Sequence, residues 1–397
     1  MNKKAALFTV FFVIAIDLIG FGIVLPGLEA YAAGMNASPL FAGFIYSSYS
    51  LAQLVFSPIW GSLSDRIGRR PIMMISTLGA SIAYLLFAFS SSLWMLLISR
   101  AFAGAMAGNI STAQAYVADV TDEKDRARGM GLIGAAFGIG FVIGPALGGV
   151  LLKTVPDAPF RAIGFLASGL SALSFLFVWT RLPEPERAAK TGKGRVVKFS
   201  VFSGGFWKHL AEINAESRGV LLGLLMCIFL VTLGQASIYV AFPYFCRTQL
   251  GLPIGAVYHQ YILMGLTAVV IQGGLIRQLV KRFSERKLFL IGGLLMGSGL
   301  ASLPFATGPK TLTAALFCMT VGASFAMPTL TSLVSKESSP ESYGATMGIS
   351  QSFAAMARAI GPSWGGALLG VSFRAPFVAT GALVLLTLWV GRVRTAH

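Results

Sequence analysis

Acid is what this chain has least of: Asp and Glu together number 15 in 397 residues, and charged residues of both signs make up only 12%. An ordinary soluble domain carries roughly a quarter charged residues. Hydrophobic residues reach 55%, more than a water-exposed fold of this size can hide, so lipid is read as the solvent for much of the chain. Cysteine is almost as scarce. Cys227, Cys246 and Cys318 stand in apolar stretches without metal-ligand spacing and read as small core side chains, and His209, His259 and His397 are too far apart for a ligand cluster. No His/Ser or carboxylate/His constellation falls inside the apolar stretches, which argues against an enzyme. No metal or organic cofactor is expected. The net charge of +16 is not a nucleic-acid footprint, because the basic residues sit in short gaps between apolar runs and form no single face.

Those runs lie near 5–27, 39–61, 72–92, 94–118, 129–153, 161–181, 218–246, 253–280, 287–306, 311–335, 343–370 and 373–391. A membrane-crossing helix needs roughly 20 residues, and each run supplies about that many. The first could pass for a signal peptide, with Lys3 and Lys4 before it and Ala30-Tyr31-Ala32 after. It is too long for that, however, and contains Asp17 and Pro26. The expectation is an all-α polytopic membrane protein of twelve transmembrane helices. Alternate gaps differ sharply in basic residues: 24 Lys and Arg fall on the N-terminal side of the membrane and 5 on the other. Such a bias places both termini in the cytoplasm of a cell, or bacterial inner, membrane.

The longest polar interval, 182–217, divides an N-terminal six-helix bundle (1–181) from a C-terminal one (218–397). The halves repeat. GLIGAAFGIGFVIGPALGG at 131–149 superposes on GISQSFAAMARAIGPSWGG at 348–366 with an offset of 217, pairing Gly144-Pro145 with Gly361-Pro362 and Gly148-Gly149 with Gly365-Gly366. The same offset carries Pro26 onto Pro243 and Asp17 onto Gly234, beside Gln235. Two parallel six-helix repeats imply a binding cavity near the membrane midplane and alternating access by rocking.

Three ordered stretches carry a family resemblance. GSLSDRIGRRP (61–71) resembles the loop signature between the second and third helices of the major facilitator superfamily. RAFAGAMAG (100–108) resembles its fourth-helix motif, and GIGFVIGPALGG (138–149) the fifth-helix motif of its drug:proton antiporter branch. The similarity spans the chain and is nearest to tetracycline-type and related multidrug exporters. It implies the major facilitator fold, proton-driven export and function as a monomer. Two departures argue against tetracycline itself: Ala83-Tyr84 stands near where tetracycline exporters carry an intramembrane acid, and the ninth helix has none.

Each motif also has a physical reading. Gly61 and Gly68 are expected to turn the chain at the bilayer surface, and Asp65 with Arg66, Arg69 and Arg70 forms a charge cluster able to bridge helix ends. Asp119 with Arg126 and Arg128 forms a second. Together they read as a gate, against the alternative of plain orientation signals. The second-half equivalent, QLVKRFSERK (278–287), has Arg282 where Asp65 would fall, so a weaker or differently wired gate is expected there. Gly140, Gly144, Pro145, Gly148 and Gly149, with Gly361, Pro362, Gly365 and Gly366, read as packing and hinge positions, since they remove bulk and a backbone donor.

Ionisable groups deep in spans are costly, roughly 2.5 kcal/mol or more, and seldom idle. Only Asp17, Arg100 and Arg358 lie deep. Asp17 with Arg100 reads as a proton-coupling pair, a permanent structural ion pair being the alternative. Glu29 is a second-choice carrier, read as a solvated rim residue. Arg358 reads either as a clamp for an anionic solute or as a cap for a carbonyl freed by Pro362. Tyr46, Tyr49, Gln53, Gln235, Tyr239 and Gln272 complete a candidate substrate lining for a mostly apolar solute with a few polar handles. The sequence therefore suggests a proton-coupled exporter of a small amphipathic molecule. The second possibility is a symporter or facilitator importing an anionic metabolite or siderophore, with Arg100 and Arg358 as clamps. The expected partners are the lipid bilayer, a small-molecule substrate and protons, with no nucleic acid.

Overall fold

The computed structural model describes residues 3–121, 123–185, 215–337 and 343–393. Among them no strand occurs, and the helices form twelve rods in chain order. Ten are long and apolar enough to cross a membrane: α1 (Ala6–Gly34), α2 (Pro39–Ile67), α3 (Arg69–Ala88), α4 (Leu93–Val120), α5 (Gly131–Thr154), α6 (Pro159–Arg181), α7 (Gly219–Thr248), α8 (Ile254–Arg282), α9 (Glu285–Phe305) and α10 (Pro309–Lys336). Two more, α11 (Tyr343–Leu369) and α12 (Ala375–Val393), complete the expected set. Most of the interval read as a linker, and the side chains of Arg126 and Arg128, lie outside the described residues.

Two compact units divide the rods. One takes the described parts of Met1–Ala37, Ser48–Val196 and Ile254–Ile262; the other takes those of Ser38–Ser47, Val197–Pro253 and Leu263–His397. Relative to a division between residues 181 and 218, the first turns of α2 and α8 are exchanged.

Helices in lipid gain nothing by hiding apolar faces from one another, so they associate where small residues let backbones meet. In the first unit this happens along two stripes of four-residue spacing. On α5, a Cβ at Gly140 would come 2.5 Å from Leu18 Cβ, one at Gly144 2.7 Å from Gly22 Cα, and one at Gly148 would strike the Tyr258 ring. Gly149, read as part of the same device, has only an ordinary contact at 3.7 Å, because it lies one residue off the stripe. On α4, Arg100, Gly104 and Gly108 share the face turned to α2: Gly104 abuts the Tyr49 backbone and Gly108 the Trp60 ring. The second unit repeats the arrangement on α11, where a Cβ at Gly361 would come 2.6 Å from Ala236 Cβ, one at Gly365 2.6 Å from Ser237 O, and one at Gly366 onto the Pro39 carbonyl.

Helix irregularities coincide with functional positions. α1 tightens to a 3-10 turn over Leu25–Gly27 at Pro26, whereas α7 runs through the matching Pro243. α5 and α11 likewise continue through Pro145 and Pro362. α4 breaks at Ala107–Gly108, where Trp60 Nε1 donates to Ala105 O at 2.5 Å. α8 carries a π-turn at Ile271–Leu275 containing Gln272. Gly61 is a correction: α2 stays helical to Ile67 and the turn falls at Gly68 alone, with φ +112°, a region L side chains rarely adopt.

The stripe on α4 makes a direct test. Gly104→Ala is expected to lower stability by about 1–3 kcal/mol through overpacking against Tyr49. Gly169→Ala, where no atom lies within 4 Å, should leave the thermal unfolding midpoint of the purified protein at or slightly above the parent value.

Candidate functional site

The first unit gathers four polar side chains from three helices around the middle of α1. Asp17 is reached by the Asn109 side chain, which stands immediately after the break in α4. Arg100, 3% exposed, hydrogen-bonds the Tyr84 hydroxyl of α3, and its guanidinium carbon lies 4.9 Å from the centre of the Tyr49 ring. Tyr84 feels the charges of both Asp17 and Arg100, so it stands between them electrostatically. No ion pair joins Asp17 to Arg100 among the described residues, and Nε and Nη1 of Arg100 are buried without a hydrogen-bond partner. Aromatic rings close the cluster: Phe21, one turn beyond Asp17, packs on Tyr49 at 5.2 Å and on Phe141 at 6.3 Å.

A buried guanidinium with two unused donors is a site waiting for an acceptor, because each unpaired buried polar atom costs on the order of 1–3 kcal/mol. Asp17, in the same cluster, does not satisfy those donors. Sequence reasoning found Asp17 and Arg100 by their depth. It missed Asn109, an amide at a helix break, and it noted Tyr84 only as an absent acid.

Tyr46 stacks on Tyr239 at 6.3 Å in the second unit, and Tyr239 feels the charge of Arg358. Gln235 and Arg358 are half-buried there, while Gln272 is exposed on the π-turn. Tyr49 and Gln53 belong to the first unit, Gln53 half-buried on α2. Glu29 is a second correction: it is 3% exposed and not a solvated rim residue, because the 3-10 turn at Pro26 re-aims the short helix Leu28–Gly34 that carries it.

At the basic end of the first unit, Arg69 lies between two acids, 2.8 Å from Asp119 Oδ2 and 2.7 Å from Asp65 Oδ1, so it joins two acids expected in separate clusters. Arg66 is exposed. Sequence reasoning missed Glu184, whose two carboxylate oxygens accept from the backbone amides of Arg69 (2.7 Å) and Arg70 (2.9 Å) at the start of α3. Pro183 and Pro185 on either side stiffen the strap, and the buried Tyr116 donates to Pro183 O at 2.9 Å. A proline-flanked acid just past a helix end was the available signal. In the second unit, Glu285 at the start of α9 accepts from Ser332 (2.8 Å) and pairs with Lys336 at the end of α10 (2.8 Å). Lys336 is Asp119 displaced by 217 residues, whereas Arg69 falls on Arg286 and Glu285 on Gly68, so the second unit has a charge pair at the corresponding helix ends with its acid one residue out of register.

This assembly of membrane-crossing helices around a midspan acid and base, with charged latches at the helix ends, is that of a solute transporter rather than an enzyme. The family model of the Major Facilitator Superfamily matches residues 10–362 and 275–396, and the chain belongs to that superfamily. It is 30% identical over 361 residues to the class G tetracycline resistance protein of Vibrio anguillarum, covering 88% of this chain and 86% of that one. It is 31% identical over 371 residues to human major facilitator superfamily domain-containing protein 10, covering 89% and 77%. The crystal structure of the human organic anion transporter MFSD10 matches with a TM-score of 0.71 at 24% identity, covering 99% of this chain and all of that one.

Glu184 supplies the only carboxylate on the first two amides of α3 among the described residues, so Glu184→Ala is expected to cost about 0.5–2 kcal/mol, as loss of a helix cap does. Denaturant or thermal unfolding of the purified protein measures this.

Proposed function

We propose that the chain is a proton-coupled exporter of a small amphipathic molecule, working by alternating access as a monomer in the cell or bacterial inner membrane with both termini in the cytoplasm. One observation carries this: Asp17 and Arg100 are buried in one cluster yet not paired, with Tyr84 and Asn109 interposed. An acid held near a cation that another acceptor can claim is able to exchange its proton as that acceptor comes and goes. Under this reading a substrate acceptor engages the spare donors of Arg100, and the proton on Asp17 leaves or arrives in step. The proton gradient is the sole energy source, and no cofactor takes part. Similarity to tetracycline resistance proteins supports the export direction.

A second reading has its own support. The unused Nε and Nη1 of Arg100 suit a carboxylate or sulfonate, and a relative is described as an organic anion transporter, so an anionic solute carried in either direction fits the same cluster. In this reading Arg358, beside Tyr239, is the second clamp. Asp65, Arg69, Asp119 and Glu184 serve as a latch that holds one closed state, with Glu285 and Lys336 as its counterpart.

Asp17→Asn is expected to abolish proton coupling with the fold intact. In everted vesicles energised acid-inside, parent protein challenged with a panel of tetracycline, cationic dyes and aromatic carboxylates should release protons with at least one member. The variant should release none, though ligand-induced thermal shifts persist; undiminished release would remove Asp17 from the mechanism.

Arg358→Lys separates the two roles of that residue. A carbonyl cap needs only a donor, whereas planar recognition of a carboxylate needs the guanidinium fork. The expected outcome is normal folding with roughly tenfold weaker binding of acidic panel members and unchanged binding of neutral ones, a loss of about 1.4 kcal/mol.

A further inference from the structure

On the outside of the first unit, remote from the Asp17 cluster, α3 and α6 leave a groove of about 460 Å³ lined by Arg70, Pro71, Met74, Ile75, Leu78 and Phe175. Five of the six are apolar. The four on α3 follow the i, i+3, i+4, i+7 pattern of one helix face, and Ile75 and Leu78 are 44% and 45% exposed. Both helices are membrane-crossing rods, so the medium against this face is hydrocarbon.

The groove changes character at its end. Arg70 sits at the first turn of α3, at the basic membrane surface, and makes no ion pair among the described residues. Its guanidinium is nevertheless fixed, because Nη2 donates to Trp179 O at 2.5 Å, and its Nε is buried without a hydrogen-bond partner. Among the described acids nearby, Glu184 accepts from the amides of Arg69 and Arg70, and Asp65 and Asp119 pair with Arg69. Trp179 is 55% exposed and stacks on Phe175 at 6.3 Å, which is where an indole at the headgroup level of a bilayer belongs.

A positioned guanidinium with no ion-pair partner among the described residues, at the mouth of an apolar groove, presents one charge and one chain-shaped surface. We infer that this groove binds an anionic phospholipid, its phosphate on Arg70 and one acyl chain along Pro71, Met74, Ile75, Leu78 and Phe175. A free phosphate would gain nothing from the apolar wall, and a zwitterionic lipid would gain less from the cation. Because Arg70 also gives its backbone amide to Glu184, a bound lipid braces the junction of α3 with the strap after α6. Occupancy is therefore expected to stabilise that latch.

Native mass spectrometry of the full chain, delipidated in detergent and titrated with phosphatidylglycerol or phosphatidylcholine, tests this directly. The parent is expected to retain one phosphatidylglycerol tightly, with a rise in thermal midpoint, and phosphatidylcholine only weakly. Arg70→Gln should weaken retention of phosphatidylglycerol about fivefold, the contribution of one basic residue at an anionic surface. Ile75→Trp, which fills the exposed wall while leaving every charge in place, should weaken retention of both lipids. Arg181→Gln, at the same membrane surface but outside the groove, should change neither. Equal retention of the two lipids by the parent, an unaltered profile in either groove variant, or an Arg181→Gln loss matching that of Arg70→Gln would each overturn the assignment.

Discussion

The contact between Gly104 and the Tyr49 backbone sets the geometry of the first unit. With no side chain at Gly104, α4 lies directly on α2, and everything on the same face of α4 is placed by that approach. Arg100, one turn earlier, is brought under the Tyr49 ring. Gly108, one turn later, receives Trp60, whose indole takes up Ala105 O beside the break in the helix. The break in turn re-aims Asn109 toward Asp17. A single missing Cβ is thus the origin of a polar cluster assembled from α1, α3 and α4. The second stripe, Gly140 and Gly144 against Leu18 and Gly22, holds α1 at the distance that keeps Asp17 within reach.

This order of causes follows from the solvent. In water, burial of apolar area would drive the helices together and the polar groups would be fitted afterwards. In lipid that drive is absent, and close packing must be achieved by shape before any polar group can be sheltered. The cost of a deep guanidinium is met here by the aromatic face of Tyr49 and the hydroxyl of Tyr84.

The same logic decides how much could be read from the sequence. Helix number and type were legible because each span is a long apolar run, and the glycines of α5 and α11 because four-residue spacing has few other uses in such a run, whereas the packing role of Gly104 and Gly108 on α4 was not read. Asp17 and Arg100 announced themselves by their depth, and so did Arg358. Asn109 did not, since its role depends on a break that propensity does not reveal. Tyr84 read as a missing acid, whereas in the fold its hydroxyl bonds Arg100 and feels the charge of Asp17. Gly61 was taken as a turn because it opens a motif, yet the helix continues two turns past it, the positive φ being needed only at Gly68. Glu184 was hidden by distance: its partners are over a hundred residues away in sequence.

Glu184 also accounts for the difference between the two latches. A helix start carries partial positive charge and a helix end partial negative charge, so an acid belongs at the first and a base at the second. The second unit obeys this, with Glu285 in the first turn of α9 and Lys336 in the last turn of α10, and their ion pair needs no further carboxylate. The first unit has the opposite signs: Arg69 opens α3 and Asp119 lies near the end of α4. Each charge there sits against its own helix dipole, and the pair offsets that only in part, since an exposed ion pair contributes about 0–1 kcal/mol. Two further acids make up the difference. Asp65 adds a second carboxylate to Arg69, and Glu184 places its own on the bare amides of α3. The inverted pair is therefore braced by the segment beyond α6 that carries Glu184. The upright pair of the second unit has no such carboxylate from beyond its helices among the described residues, so the corresponding helix ends of the internal repeat are braced differently.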